Sequence, residues 1–254
     1  MAGEGIPGGP PPDPTRAPQD TTELSVSGGA LLTGGNSRIG TLTGALKLLV
    51  RRGSDQFGAG AAANYARAAT ETNQPVDTTV ENYQIGVRYD RFLTRPVSTF
   101  LSVVGRRDRF QGLAFRLSID PGVALYMVRQ EQLRLWSEVG YDLQNDVRTN
   151  RAIEDAKANG IALPPTELTH NGRLFFGYEQ RIEETLLFNA GIEYIRNVLR
   201  AESWRLNYST SLTTKVIQSL SIGVVSAALY DNNPLTDVEK LDVWTTLNLV
   251  YTLY

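Results

Sequence analysis

A chain of 254 residues, 41% hydrophobic and 20% charged, is long enough for one large β domain or two small ones. Its formal net charge of −2 argues against a nucleic-acid binder. Cysteine is absent, which excludes disulfides, thiolate metal sites and a cysteine nucleophile.

Mean hydropathy is −0.23, and no apolar run approaches the roughly 20 residues of a transmembrane helix. Strands that cross a membrane would escape both measures, because half of each strand is polar. The basic residues lean to arginine: among 25, only Lys47, Lys157, Lys215 and Lys240 are lysine. Arginine suits paired, hydrogen-bonded positions in a confined polar space.

Residues 1–21, with Pro10, Pro11, Pro12, Pro14 and Pro18, are Gly/Pro-rich and lack the apolar core of a secretory signal. They read as a flexible leader. The rest, 22–254, reads as one domain of twelve strand-like segments. The first spans about 22–33, with Leu24, Val26, Ala30 and Leu32 in one phase. A Gly34-Gly35-Asn36 turn leads to a second at 37–50. The third, 56–69, alternates Phe57, Ala59, Ala61, Ala63 and Tyr65, and a turn-rich loop follows at 70–79.

In the fourth, 80–92, Tyr83, Ile85, Val87 and Tyr89 oppose Asn82, Gln84, Arg88 and Asp90. The fifth covers 97–106. The sixth, 113–127, sets Leu113, Phe115, Leu117 and Ile119 against Arg116, Ser118 and Asp120, with Pro121-Gly122 expected to kink or bulge it. In the seventh, 132–144, Leu133, Leu135, Val139 and Tyr141 oppose Arg134, Glu138 and Asp142. The longest break, about 145–170, has room for a short helix at Ile153–Asn159.

The clearest pattern lies between Gly172 and Thr213. Leu174, Phe176, Tyr178, Gln180 and Ile182 form one face. The same phase resumes after Glu183-Glu184 with Leu186, Phe188, Ala190, Ile192 and Tyr194, then with Trp204, Leu206, Tyr208, Thr210 and Leu212. Arg173, Glu179, Arg181, Glu193 and Arg205 fall on the other face. An eleventh strand at 219–230 and a twelfth at 241–253 close the count, around Asp231-Asn232-Asn233-Pro234.

A period of two puts alternate side chains on opposite faces of a sheet. An oily face can pack on a second sheet in water, or face lipid while the polar face lines a closed barrel. Two patterns favour the barrel. Every even-numbered connection is short and the long ones fall on the odd side, apart from 34–36, as in barrels with tight turns at one end. Oily-phase aromatics recur near strand ends (Phe57 with Tyr65, Tyr83 with Tyr89, Phe188 with Tyr194), at about the spacing of two interfacial girdles.

Several segments carry a family resemblance: Tyr89-Asp90-Arg91-Phe92-Leu93, Asp108-Arg109-Phe110-Gln111-Gly112-Leu113, Gly34-Gly35-Asn36, Glu138-Val139-Gly140-Tyr141, Asp231-Asn232-Asn233-Pro234 and Asp242. In their order and spacing, over about 24–254, the chain resembles the YdiY-like family of salt-induced outer-membrane proteins. The resemblance implies an outer-membrane β-barrel and brings no agreed biochemical activity. Such barrels end in an aromatic that continues the lipid-facing phase. Here Leu247, Leu249, Tyr251 and Leu253 hold that phase, and Tyr254 falls out of it.

The expectation is therefore an all-β, antiparallel up-and-down transmembrane β-barrel of about twelve strands, monomeric, in a bacterial outer membrane. Its partners would be outer-membrane lipid and, during insertion, the barrel-assembly machinery. The expected lumen-lining network is Arg88, Asp90, Arg106, Asp108, Arg116, Asp120, Arg134, Glu138, Asp142, Arg173, Glu179, Arg181, Glu193 and Arg205. It would either fill and rigidify the interior or line a solute path. The expected lipid-facing set is Leu174, Phe176, Tyr178, Phe188, Ile192, Tyr194, Leu206, Tyr208, Ile222, Val224, Leu247, Leu249 and Tyr251.

No catalytic, cofactor or metal residues are expected, and the protein is read as a narrow channel or structural envelope component without enzymatic activity. His170, the sole histidine, reads as a surface residue at the edge of the long loop. Asp231, Asp237 and Glu239 match no defined calcium loop. The competing readings are an outer-membrane lipid hydrolase, which would need a serine beside His170, and a soluble β-sandwich binding module.

Overall fold

A computed structural model describes residues 20–33, 38–69, 75–235 and 238–253. Twelve strands run in chain order: β1 Thr21–Thr33, β2 Arg38–Arg52, β3 Asp55–Ala69, β4 Asp77–Phe92, β5 Val97–Asp108 and β6 Leu113–Arg129. Then follow β7 Leu133–Arg148, helix α1 Asn150–Ala158, β8 Thr166–Ile182, β9 Leu186–Asn197, β10 Trp204–Ile217, β11 Leu220–Asp231 and β12 Leu241–Thr252. Each pairs antiparallel with its chain neighbours, and β1 closes on β12, with Ser25 opposite Thr252 and Gly28 opposite Leu249. Closure leaves no strand at the free edge of an open sheet among the described residues, although β1 and β12 share only that short register.

The connections at one end are 53–54, 93–96, 130–132, 183–185 and 218–219. The other end carries 34–37, 70–76, 109–112, 149–165, 198–203 and 232–240. The two-residue turn 53–54 relies on Gly53 at φ +54°. The longest connection holds α1, whose start is fixed by Thr149: its hydroxyl accepts the Ala152 N–H at 3.2 Å.

The alternation places the oily residues outward, where they are exposed, and the charged ones inward, where they are buried. Leu42, Ile85, Val139 and Leu247 are 62%, 64%, 61% and 65% exposed, whereas Arg88, Asp90, Glu138 and Asp142 are 2%, 1%, 2% and 2% exposed. A water-soluble chain gains about 1.5–3 kcal/mol by burying each such large apolar side chain. An unbroken oily belt around a charged interior is stable only against hydrocarbon. No pair of stacked sheets exists among the described residues, so the β-sandwich reading is excluded.

Aromatic rings mark both margins of the belt. Toward the long loops, Tyr194, Trp204 and Tyr230 stand side by side, with centroids 5.9 and 5.1 Å apart. Toward the short turns, Tyr178 meets Phe188 edge-on at 6.0 Å and Phe57 lies opposite Tyr89. Tyr83 and Tyr89 on β4 are six residues apart, about 20 Å of strand.

Several expected boundaries shift. Thr21, placed in the leader, already pairs with Arg51. Strands β7 and β8 run on to Arg148 and back to Thr166, so the long break narrows to 149–165 and His170 lies in β8, not in a loop. Beyond the oily belt the outward face mixes polar and apolar residues (Asn145 and Val147; Thr166, Leu168 and His170), which blurs the alternation that reveals a strand. Pro121-Gly122 does not stop β6. Pairing with β5 continues through Leu101–Pro121, while the ladder to β7 skips residues 120 and 121. The register shifts lie instead at Leu113/Phe115 and Tyr126/Val128. The Gly34-Gly35-Asn36 turn, most of the leader, residues 70–74, Asp237 and Tyr254 lie outside the described residues.

Candidate functional site

The interior is built in layers, each a row of inward positions in register. One row runs Asp90, Phe100, Gly122, Gly140, Arg173 across β4 to β8. Phe100 can lie down across this row only because its neighbour has no side chain: a Cβ on Gly122 would stand 2.4 Å from the ring. The ring then carries guanidinium groups, Arg88 at 4.0 Å and Arg173 at 5.7 Å from its centroid.

Glu138 bridges the same two arginines, at 3.0 Å from Arg88 and 2.8 Å from Arg173. Arg88 also holds Asp90 at 2.8 Å, and Arg173 holds Glu193 at 2.6 Å. Asn207 donates to Glu193 at 2.7 Å. The result is one chain of buried charges, Asp90–Arg88–Glu138–Arg173–Glu193, ending on Asn207 of β10. Charge-assisted, multiply bonded pairs of this kind are the form in which buried ions are tolerated.

An aromatic layer lies on the short-turn side. Arg51 stacks on Phe92 at 4.7 Å, Phe92 packs on Tyr126 at 5.9 Å, and Trp136 adjoins them. Trp136 also needs a missing side chain, since a Cβ on Gly177 would come within 2.2 Å of its ring. Charge chain and aromatic layer together form a stopper that Arg51 enters from β2 and Asn207 from β10.

On the long-loop side the lumen widens to a vestibule of about 540 Å³, roofed by residues 161–164 and by Pro234 and Leu235. Its wall is mixed. Arg116 grips Asp146 through two hydrogen bonds of 2.7 Å, Arg148 holds Glu167 at 2.9 Å, and Arg106 holds Asp108 at 2.7 Å. Arg205 reaches across from β10 to donate to Gln144 on β7.

Of the charged residues singled out from the sequence, Arg88, Asp90, Glu138, Arg173 and Glu193 meet in the stopper. Arg106, Arg116, Asp120, Asp142 and Arg205 line the vestibule. Arg134 and Glu179 form a separate, half-buried pair at 2.8 Å. Arg181 stays exposed beside the 183–185 turn and joins none of these pairs. Phe100, Arg51, Ser102, Asp146, Arg148 and Glu167 escape sequence reasoning. All but Phe100 are polar, and the inward phase of their strands would have found them.

His170 faces outward and its Nδ1 contacts the Tyr141 hydroxyl. Among the described residues no group of three or more histidine or acidic side chains is placed to hold a metal. No helix among the described residues is long and apolar enough to cross a membrane, which says nothing of strands.

A closed antiparallel barrel with an oily belt, aromatic margins and a charged interior defines the class: an outer-membrane-type β-barrel. The chain belongs to the family described as "Protein of unknown function, DUF481", whose model matches residues 26–253. Among solved structures it is similar to the NanC porin, at 10% identity over 91% of this chain and 98% of that one, with a TM-score of 0.53. It is also similar to the KdgM porin, at 7% identity over 92% and 100%, with a TM-score of 0.47. An outer membrane channel from Pseudomonas putida F1 aligns at 10% identity over 95% and 99%, with a TM-score of 0.47. No curated protein matches the chain. These likenesses concern architecture.

Proposed function

We propose that the protein is a bacterial outer-membrane β-barrel without enzymatic activity, held in outer-membrane lipid as a monomer, inserted by the barrel-assembly machinery, and stoppered at rest. The observation that carries this reading is the chain Asp90–Arg88–Glu138–Arg173–Glu193 laid against Phe100, with a vestibule above it on the long-loop side. Solute entering from the long loops meets buried ion pairs at the vestibule floor, so the barrel acts as an envelope component or a narrow channel, not as an open porin. The outward, tyrosine-bound His170 supports a non-catalytic reading. The tie to salt or osmotic stress comes with the YdiY-like resemblance and is tested by following the protein's abundance after a salt upshift.

Conductance tests the stopper. Refolded wild type in a planar bilayer is expected to give no steady single-channel steps, while Phe100→Ala, which removes the ring under both guanidinium groups, is expected to give small ones. Large, steady steps from the wild type would overturn the proposal.

A further inference from the structure

One row above the stopper, three neighbouring strands each place one oxygen atom that has no donor. Ser102 on β5 lies opposite Asp120 on β6. The pairs Ile119–Leu143 and Gly122–Gly140 bracket Asp120 and Asp142, which puts the two acids next to each other on β6 and β7. All three residues are more than nine-tenths buried, at 2%, 7% and 2% exposure. Ser102 Oγ, Asp120 Oδ1 and Asp142 Oδ1 each lack a hydrogen-bond partner among the described residues.

The surrounding arginines are committed elsewhere. Asp120 takes part in no ion pair within 4 Å among the described residues; Asp142 meets Arg205 at 3.9 Å, and its Oδ2 accepts from Asn171 Nδ2 at 2.9 Å. Like charges directly opposite on adjacent strands repel, and a buried carboxylate without a counter-charge is costly. Pro121, which has no N–H to give a ladder, lies where the pairing to β7 opens, at 120 and 121. Two carboxylates and a hydroxyl, with the water-accessible vestibule reaching both acids, make an all-oxygen site. That chemistry selects hard cations and disfavours metals that prefer nitrogen or sulfur.

We propose that Ser102, Asp120 and Asp142 hold a hard divalent cation, Ca²⁺ or Mg²⁺, at the floor of the vestibule. The cation supplies the counter-charge that Arg205, 3.9 Å from Asp142 and unpaired with Asp120, leaves incomplete, and water from the vestibule completes its shell. The site needs two carboxylates, fewer than a cluster of three acids. It does not depend on whether the lumen conducts.

The test uses the full chain refolded in detergent, stripped with EDTA, and titrated calorimetrically with CaCl₂ or MgCl₂. The expected result is one saturable site with a Kd on the order of 10⁻⁴–10⁻³ M and a Tm that rises with the metal. Asp120→Asn and Asp142→Asn should weaken binding at least about tenfold, since each removes one of two charged ligands. Asp55→Asn, at the exposed short-turn rim, should bind as wild type does.

No saturable uptake by wild type up to about 10 mM, an order of magnitude beyond the weak end of such sites, overturns the proposal. So does equal uptake by Asp120→Asn. Absent uptake together with a Tm raised by Asp120→Asn would show that the acids share a proton instead. Should the Asn variants not fold, Ser102→Ala decides: undiminished binding by it overturns the assignment.

Discussion

Glu138→Gln is the sharpest test of the stopper, because among the described residues Glu138 alone of the acids is bonded to both buried arginines, at 3.0 Å from Arg88 and 2.8 Å from Arg173. Its side chain is 1% exposed and those of the arginines are 3% and 6% exposed, so water cannot restore the lost charge. Removing one partner of a buried pair costs about 3–5 kcal/mol. Here each arginine keeps a second acid, Asp90 or Glu193, which puts the expected loss at the lower end, about 3 kcal/mol. With a slope of about 3 kcal/mol/M for a chain of this size, the urea midpoint falls by about 1 M.

The assay is urea unfolding in lipid vesicles, read by tryptophan emission and by heat-modifiable migration on gels. Asp55→Asn is the control, since the Asp55–Arg91 pair is 38% and 52% exposed, and its midpoint should stay where it is. A Glu138→Gln midpoint within 0.3 M of wild type, about 1 kcal/mol on the same slope, would refute the claim that these charges are sealed from water.

Three further outcomes are expected. Ile85→Arg, at mid-strand on the oily face and 64% exposed in the wild type, should cost about 2–4 kcal/mol in a bilayer, whereas Leu93→Arg in the 93–96 turn should cost about 0–1; equal costs in vesicle unfolding would mean that hydrocarbon does not face Ile85. Gly177→Val should lower refolding yield and blue-shift or broaden tryptophan emission, because its Cβ would meet the Trp136 ring at 2.2 Å; an unchanged spectrum and yield would contradict that packing. Thr149→Ala should cost α1 about 1 kcal/mol, seen as faster amide exchange over 150–158 with the barrel strands unaffected.

The sequence alone was enough to settle the strand count, the antiparallel order and the sorting of short and long connections. These are local consequences of a period of two and of turn residues. It also separated oily rows from charged ones, so Arg88, Glu138, Arg173 and Glu193 could be assigned to one face before their partners were known. Which end of a strand carries a layer, and which residue answers which, is a matter of register between strands, and register is not local. Phe100 reads as an ordinary apolar residue until Gly122, on the next strand, leaves room for its ring across the lumen. Asp120 and Asp142 are 22 positions apart in the chain and become neighbours only when β6 and β7 pair at that offset. Closure decides the rest: it turns one face of a sheet into a sealed interior, where an arginine is buried among acids that the chain itself keeps far apart.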